Sequence, residues 1–325
     1  MRRHFLRQLS ALALSAGTAS LPALAQPSQP AGEFRIGFMP FVPYSAILLA
    51  RQNGWVEEEL KKLGHANTRL TWTQFAGGPP VNEAFASGHI DIAALGDTPA
   101  LVGHASGIAN RLVGLAYKGG GAQALLVRAD SPYRSVKELK GKKVATLRGG
   151  NVHELLVLIL AEAGLKLSDV EFINLGLQDM GTALLKGDIE AALAWDPLFT
   201  RLETEGSARI LRDGQGLKNN LNPIIASAAV LKDSPDFVRA YLRAAERGAQ
   251  ALRGQPEAAA QALAPTFGLT PAQTRKAFSR SVWLPPVDAE VRAELTRSVG
   301  FLLDNRLVRN RLDVERFIDL GASAL

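Results

Sequence analysis

The sequence of 325 residues contains no cysteine. This absence excludes disulfide bonds, thiolate nucleophiles and every metal or iron–sulfur site that is built on cysteine. It does not exclude an exported protein, because a chain of this length can bury a core large enough to be stable without cross-links. Aromatic residues are also scarce, at 6%, whereas 47% hydrophobic and 21% charged residues are typical of a globular chain.

Motifs of enzymes are missing as well. His153-Glu154 has the first two residues of a zinc-protease motif, but Val157 stands where the second histidine is required. The other histidines are scattered without metal-ligand spacing, and the sequence has no nucleophile elbow, Walker loop or dinucleotide fingerprint. We therefore expect no catalytic residues, no metal and no cofactor.

The formal net charge of +6 is weak and comes partly from the N-terminus. Residues 1–25 contain three arginines and no acidic residue, so the rest of the chain carries a formal charge of +3. Its lysines and arginines do not form a run with interleaved aromatic residues. This pattern argues against a nucleic-acid partner.

Residues 1–25 predict a signal peptide. The pair Arg2-Arg3, followed by Phe5-Leu6-Arg7, resembles a twin-arginine export signal. A mild apolar run over 9–21 is too short to span a bilayer, and Ala23-Leu24-Ala25 has the small-x-small pattern of a cleavage site. We expect cleavage near Ala25-Gln26, a periplasmic location, and a short disordered leader over 26–32.

Strands and helices alternate through most of the chain. Predicted strands at 34–38, 70–75 and 90–95 are separated by helices, one of them running from about Ser45 through Leu60. The same order then recurs from a strand at 143–147. Alternation of this kind predicts parallel sheets that are covered by helices on both faces.

A local repeat supports two similar halves. AFASGHIDIA at 84–93 and ALLKGDIEAA at 183–192 lie 99 residues apart, and each predicts a helix, a glycine, a polar turn and a buried strand. After about residue 220 the pattern becomes helical, with predicted helices at 234–252, from 256, at 270–281 and at 288–305. We expect this helical tail to pack on the first lobe, with hinge strands near 124–127 and 224–226. The predicted lobe boundaries are 33–122 with 225–325 for the first lobe, and 123–224 for the second.

Three glycine-containing turns each follow a strand and open a helix: Gly77-Gly78-Pro79, Gly96-Asp97-Thr98-Pro99 and Gly149-Gly150-Asn151-Val152. Helix N-termini present unpaired N–H donors and a positive dipole end, so they favour anions, and glycine lets a ligand approach the backbone. Two of the turns belong to the first predicted lobe and one to the second. An anion bound by all three would therefore bridge the lobes and favour a closed state.

Several other side chains are candidates for contacts with a ligand, and each also has a purely structural interpretation. Tyr44 and Ser45 follow the first strand and are plausible donors in the cleft, although Tyr44 also suits packing. Trp195 suits either a wall of the cleft or the lobe boundary, with Asp196 capping the next turn. Arg148 suits either a cationic contact or a solvated turn.

The motifs together resemble the aliphatic sulfonate-binding proteins of ABC importers. The segments that carry the resemblance are Gly77–Pro79, Gly96–Pro99, Leu139–Ala145, Gly150–His153 with Leu155-Leu156, Ala163–Leu165, Ser168–Val170 and Trp195–Pro197. The resemblance implies a type II periplasmic-binding fold, in which two Rossmann-like lobes are joined by hinge strands. It also implies a monomer that delivers a small organic anion to a permease and ATPase complex.

By the same resemblance, contacts to the anion are expected from Gly78, Asp97, Thr98, Asn151 and the backbone of Val152, with Trp195 as a wall. A carboxylate would repel an anion, so Asp97 is expected to act as a cap or through its N–H. The full set of predicted ligand-binding residues is Tyr44, Ser45, Gly77, Gly78, Asp97, Thr98, Gln123, Gly150, Asn151, Val152, Trp195 and Asp196.

Two segments depart from the family pattern: Phe38–Phe41 is more apolar, and Lys118–Gln123 is shortened and glycine-rich. Both are expected to border the organic part of the ligand, which leaves taurine, nitrate, a sulfate ester or a pyrimidine precursor as alternative ligands. The apolar wall of Trp195, Phe41 and Phe38 argues against a bare inorganic anion. An enzyme on the same fold, such as a pyrimidine-precursor synthase, is a further alternative, but those enzymes use a cysteine-rich motif that is missing here.

Overall fold

The computed structural model describes residues 32–323. Its strands are β1 (Glu33–Phe38), β2 (Arg69–Gln74), β3 (Ile92–Ala94), β4 (Asn110–Lys118), β5 (Gln123–Arg128), β6 (Lys143–Thr146), β7 (Glu171–Asn174), β8 (Ala191–Trp195), β9 (Ala208–Asp213), β10 (Asn222–Ser227) and β11 (Val282–Trp283). Its α-helices are α1 (Ser45–Gln52), α2 (Trp55–Lys62), α3 (Gly78–Ala86), α4 (Asp97–Ala105), α5 (Asn151–Glu162), α6 (Leu177–Lys186), α7 (Leu198–Thr204), α8 (Ala228–Asp233), α9 (Pro235–Gly254), α10 (Pro256–Phe267), α11 (Pro271–Phe278), α12 (Ala289–Asp304) and α13 (Val314–Phe317).

The strands form two sheets. The first has the order β11-β4-β10-β3-β1-β2 and the second has the order β7-β6-β8-β5-β9. In each sheet the strands that alternate with helices pair in parallel, as β1 does with β2 and β3, and β6 with β7 and β8. The strands next to the crossings between sheets, β5 and β10, pair antiparallel with their neighbours. We call the first sheet with its helices lobe 1 and the second sheet with its helices lobe 2.

The chain crosses between the lobes twice in the described residues, after β4 and before β10. The hinge strands predicted near 124–127 and 224–226 correspond to β5 and β10. The predicted boundary at 224/225 falls inside β10, because Asn222 already pairs with Tyr117 of β4. The return crossing therefore lies in residues 214–221.

Lobe 2 shows why its strands carry apolar residues at consecutive positions. Ala124 and Leu126 of β5 belong to one apolar cluster, together with side chains of α6 and α7. Leu125 and Val127 belong to a second cluster on the opposite face, together with α5. Because successive side chains of a strand point to opposite faces, a strand buried on both faces must be apolar throughout.

The local repeat forms the same structure in both lobes. Gly88 follows α3 with φ of 69°, and Gly187 follows α6 with φ of 80°. Both values lie in the left-handed region that glycine adopts without strain, so each helix ends in a tight turn that leads into a buried strand, β3 or β8.

Most of the predicted helices are confirmed within a few residues, but the one expected from Ser45 through Leu60 is wrong. It divides into α1 and α2 at Asn53-Gly54, where Gly54 has φ of 66° and stands at the start of α2. The polar turn lets α2 change direction while both helices pack on α9.

The predicted signal peptide lies outside the described residues, as does the leader up to residue 31. Gly32, which was assigned to the leader, accepts a backbone hydrogen bond from Arg69 at 3.0 Å and so already lies against the first sheet. Within residues 32–323, no helix combines the length and the apolar character that a membrane span requires.

The helical tail packs on lobe 1, and α9 approaches α1 closely. A Cβ atom built on Gly248 of α9 would lie 2.0 Å from the carbonyl oxygen of Ala46 in α1. That distance is far below van der Waals contact, so the two helix backbones approach closely only because this position is glycine.

We expect Gly248→Ala to lower the free energy of unfolding by about 3 kcal/mol, because the methyl group forces α9 away from α1. Urea unfolding followed by circular dichroism measures the effect. Gly254→Ala is the matched control, since a Cβ atom there meets nothing within 4 Å at the end of the same helix. The control is expected within about 1 kcal/mol of the wild type; equal effects of the two substitutions would contradict the packing argument.

Candidate ligand-binding site

The N-termini of helices from both lobes meet at the predicted site. A Cβ atom built on Gly96, which precedes α4 of lobe 1, would lie 3.1 Å from Cγ of Asn151, the first residue of α5 in lobe 2. A Cβ atom on Gly77, which precedes α3, would lie 3.6 Å from the Leu147 side chain of lobe 2. Three of the glycine-containing turns are therefore brought together, and the described conformation is one in which the lobes are in contact.

A chain of side-chain hydrogen bonds crosses between the lobes at this point. Asn151 Nδ2 donates to Asn220 Oδ1 at 2.5 Å, and Asn222 Nδ2 donates to the same oxygen at 2.9 Å. The hydroxyl of Tyr44 donates to Asn222 Oδ1 at 2.8 Å. The polar chain therefore runs from α5 of lobe 2, through the return crossing, to the residue that precedes α1 in lobe 1.

A buried ionic cluster joins Asp97, the first residue of α4, to Glu154, which lies one turn into α5. The ammonium of Lys218, in the return crossing, lies 2.6 Å from Asp97 Oδ2 of α4 and 3.1 Å from Glu154 Oε2 of α5. Thr98 Oγ1 and Ser298 Oγ, both in lobe 1, donate to the Glu154 carboxylate at 3.0 Å each. The side chains of the three charged residues are at most 4% exposed, so this contact between lobes excludes water.

Two carboxylates share one cation in this cluster, which sets its electrostatics. Burial raises the pKa of Asp97 to about 6, the charge of Glu154 acts in the same direction, and Lys218 opposes both. Burial disfavours the charged form of Lys218, but the attraction of Asp97 and Glu154 outweighs it, so the pKa of the lysine is raised. The ammonium is therefore charged at neutral pH and is the partner that both carboxylates need.

The predicted donors of α4 are already engaged inside the protein. The N–H of Asp97 donates to the carbonyl oxygen of Leu221, and the N–H of Thr98 donates to Asp97 Oδ1. The Thr98 hydroxyl donates to Glu154, as described above. In this conformation Asp97 and Thr98 fix α4 to the return crossing and to lobe 2, and they offer no free donor to an anion.

Several other predicted residues have local partners. Ser45 Oγ donates to the carbonyl oxygen of Val42. Gly78 packs so closely on Pro99 that a Cβ atom would lie 2.6 Å from the proline ring. The N–H of Val152 donates to Asn151 Oδ1 at 3.1 Å, so Asn151 caps its own helix on one side while its amide nitrogen reaches lobe 1.

Gly150 and Gln123 lie beside these contacts. Gly150 is the extended residue that precedes α5, and its N–H donates to the carbonyl oxygen of Leu147. Gln123 is the first residue of β5, is buried, and pairs with Trp195 at the end of β8.

An aromatic pair also joins the lobes. Phe41, which follows β1, and Trp195 contact each other edge to face with ring centroids 6.0 Å apart, and both rings are half-buried. The structure places Trp195 at the boundary between the lobes, which is one of its two interpretations. A ring in that position can also form a wall of the cleft.

Asp196 belongs to a second contact between the lobes. Its Oδ1 accepts a hydrogen bond from the N–H of Thr200 in α7, and burial raises its pKa. The guanidinium of Arg280, from lobe 1, lies 3.7 Å from Asp196 Oδ2 and donates to Thr200 Oγ1 at 2.7 Å and to the Glu203 carboxylate. Asp196 is therefore built into a structural contact beside the cleft.

Arg148 and a cavity near the crossings complete the predicted region. The guanidinium of Arg148 lies 4.6 Å above the ring of Phe172 in β7, which matches the solvated turn rather than a contact in the cleft. A cavity of about 430 Å³ borders the two crossings, but its lining of Gly120, Gly121, Gln215, Gly216, Asn219 and Ser279–Val282 includes none of the twelve predicted residues.

The sequence reasoning missed Lys218, Asn220, Asn222, Glu154 and Ser298. Lys218-Asn219-Asn220-Leu221-Asn222 is a polar run that leads into a buried hinge strand, and this is the available signal for the first three. Glu154 was considered only as part of a failed zinc motif. Ser298 lies in α12, a tail helix whose contact with α4 no local pattern indicates.

We expect Lys218→Met to lower the free energy of unfolding by about 3–5 kcal/mol at pH 7.5, because it leaves two buried carboxylates without a cation. The loss should be smaller at pH 5. A carboxyl whose folded pKa is raised contributes stability that falls as pH rises through that pKa, and removing the lysine raises the pKa of Asp97 further. Denaturant unfolding at the two pH values measures the difference.

Lys186→Met, at an exposed lysine of α6, is the control and is expected to change stability by no more than about 0.5 kcal/mol. A Lys218→Met effect as small as the control, or one that does not depend on pH, would show that the cluster does not stabilise the contact between lobes.

The comparisons with known proteins agree with this geometry. An Escherichia coli K12 protein named "Putative aliphatic sulfonates-binding protein" is 29% identical over 317 residues, covering 96% of this chain and 97% of that protein. The alkanesulfonate-binding protein of Xanthomonas axonopodis pv. citri, solved with MOPS bound, has a TM-score of 0.80 at 28% identity and covers 90% of this chain and 99% of its own. A desulfurization enzyme has a TM-score of 0.67 at 17% identity, covering 90% of this chain and 97% of its own, which shows the fold alone.

Residues 70–259, more than half of the chain, match the family described as NMT1/THI5 like. The resemblance drawn from the motifs and the expected fold class are both confirmed. The chain has the two-lobed periplasmic-binding-protein fold and belongs to the NMT1/THI5-like family.

Proposed function

We propose that this protein is the exported substrate-binding component of an ABC importer. It captures an organic sulfonate, or a similar small organic anion, between its lobes and delivers it to a permease and ATPase complex. The observation that carries the proposal is the meeting of helix N-termini from both lobes, at glycines, in a chain that resembles sulfonate-binding proteins over most of its length. Such N-termini favour an anion without needing a cationic side chain.

The three helices have different tasks in this proposal. The first N–H groups of α4 are engaged, so α4 provides the surface at Gly96 on which Asn151 rests. Pro79 and Pro80 have no N–H, so the donor at the start of α3 is Gly78. At the start of α5 the N–H groups of Gly150 and Val152 are engaged as well. The anion is therefore expected to accept hydrogen bonds from Asn151, the first residue of α5 in lobe 2, and from the N–H of Gly78 in lobe 1.

The organic part of the ligand is expected to lie against Phe41 and Trp195. Both rings are half-buried and belong to different lobes. A substituent that contacts both rings therefore removes apolar surface from water when the lobes close. This wall favours an alkyl- or arylsulfonate over nitrate, which has no organic group to bury.

We also propose that the ligand leaves unchanged. The carboxylates near the site are engaged in structural contacts: Asp97 and Glu154 with Lys218, and Asp196 with Thr200. With no cysteine in the sequence, no thiolate is available as a nucleophile.

A thermal-unfolding panel tests the proposed ligand class. Alkanesulfonates, arylsulfonates and MOPS are expected to raise the unfolding midpoint, because a ligand at 100 times its Kd adds about 2.7 kcal/mol of stability. Taurine, nitrate, sulfate esters and neutral pyrimidines form the rest of the panel. A rise with a neutral pyrimidine and none with any anion would contradict the anion site.

We propose export by the twin-arginine route, on the basis of Arg2-Arg3 and the cleavage motif ending at Ala25. A fusion of residues 1–40 to a reporter that is active only in the periplasm is expected to give signal, and Arg2→Lys with Arg3→Lys is expected to abolish it. Export that survives the double substitution contradicts this route, whereas a wild-type fusion that stays in the cytoplasm contradicts export itself.

A further inference from the structure

Asn220 occupies the point where the two crossings and both lobes come together. Its backbone N–H donates to the carbonyl oxygen of Gly119, in the first crossing, at 3.3 Å. Its side chain contacts Asn151 at the start of α5, and the next residue, Leu221, accepts a hydrogen bond from the N–H of Asp97 in α4. Only 2% of Asn220 is exposed. Its side chain is therefore buried where the two crossings meet the starts of α4 and α5.

The two halves of the Asn220 amide are in different situations. The oxygen accepts from Asn151 Nδ2 and from Asn222 Nδ2, which uses both of its lone pairs. The Nδ2 group, which carries two protons, has no acceptor among residues 32–323. It is not among the completely buried, unpaired polar atoms of those residues, so it keeps a small contact with solvent.

An amide donor with so little contact with water and no protein acceptor is costly, because most of its hydrogen bonding to water is lost and not replaced. An anionic oxygen beside Nδ2 would remove that cost. The neighbouring Asn151 is a predicted anion contact, and its amide is connected to Asn220 directly. The unpaired donor is therefore in the right place for the head group that the proposed function requires.

We propose that Asn220 is a ligand-contacting residue: its amide nitrogen donates to the anionic head group while its oxygen fixes Asn151 across the lobes. This inference rests on the proposed function and extends it to the return crossing. Because one side chain joins the ligand, α5 and lobe 1, occupancy of the site and contact between the lobes depend on the same group.

Asn220→Asp separates the two tasks. An aspartate keeps an oxygen that accepts from Asn151 and Asn222, and it replaces the donor with a second oxygen that repels an anion. We expect Kd for an alkanesulfonate, measured by isothermal titration at pH 7.5 in 0.15 M salt, to rise by about 100-fold or more. A Kd within threefold of the wild type would overturn the inference, since it would leave Asn220 with a positioning task alone.

Asn174→Asp is the matched control. It makes the same exchange at an exposed asparagine of β7, whose Oδ1 likewise accepts a hydrogen bond, from the N–H of Arg148. It adds the same charge to the protein, so a general effect of net charge would appear in both variants. Its Kd is expected to stay within threefold of the wild type; an equal loss in the two variants would contradict a local contact at Asn220.

The pH dependence gives a second readout. As the pH falls from 7.5 to 4.5, the new carboxyl, whose pKa is raised by burial and by the nearby anion, takes up a proton and regains a donor, while the sulfonate stays ionised. The ratio of Kd values between Asn220→Asp and wild type should therefore shrink. The wild type is measured in parallel because Asp97, Glu154 and Lys218 lie close by, and burial raises the pKa of Asp97 to about 6, inside this pH range. A ratio that stays constant would contradict the repulsion between carboxylate and anion.

If Asn220→Asp does not fold, a double-mutant cycle of Asn220→Ala and Asn151→Ala decides the question. A residue that only positions Asn151 has no further effect once Asn151 is removed, whereas a ligand contact still weakens binding by about 10-fold in that background. A wild-type protein that binds no anion would contradict the proposed function itself. A wild-type protein that binds an anion, with variants that bind it equally well, would contradict only the role of Asn220.

Discussion

The ammonium of Lys218 lies between carboxylates of both lobes, and the contact between the lobes depends on it. Asp97 comes from lobe 1, Glu154 comes from lobe 2, and the lysine itself comes from the crossing that joins them. Removing two negative charges from water is tolerated only because the cation and the hydroxyls of Thr98 and Ser298 replace the lost hydration. The cluster therefore defines which surfaces of α4 and α5 face each other.

The site follows from that alignment. With α4 and α5 in contact, Asn151 reaches over Gly96 to Asn220, and the start of α5 points into the space between the lobes. The contacts of Phe41 with Trp195, and of Arg280 with α7, join the lobes elsewhere around the cleft. A ligand enclosed there would contact backbone donors at one end and aromatic rings at the other, which is the arrangement that an organic anion requires.

Much of the fold could be predicted because its signals are local. The glycine after a helix, as at Gly88 and Gly187, indicates where the helix ends. The uninterrupted apolar residues of β5 and β8 indicate a sheet covered on two faces. Strands β4 and β9 were missed because Gly114 interrupts one and Arg209, Arg212 and Asp213 make the other appear exposed. The α3, α4 and α5 turns were located correctly, but the engagement of the α4 donors by Leu221 and Asp97 depends on contacts between distant segments. For the same reason no sequence pattern could place Lys218 beside Glu154.

The central claim is that one anionic head group is bound by helix N-termini of both lobes at the same time. A crystal structure of the protein with an alkanesulfonate tests it most directly. The sulfonate oxygens are predicted to lie within hydrogen-bond distance of α5 in lobe 2 and of Gly78 in lobe 1, with the alkyl group against Phe41 and Trp195. A sulfonate bound to one lobe alone, or with its head group turned to solvent, would contradict the account.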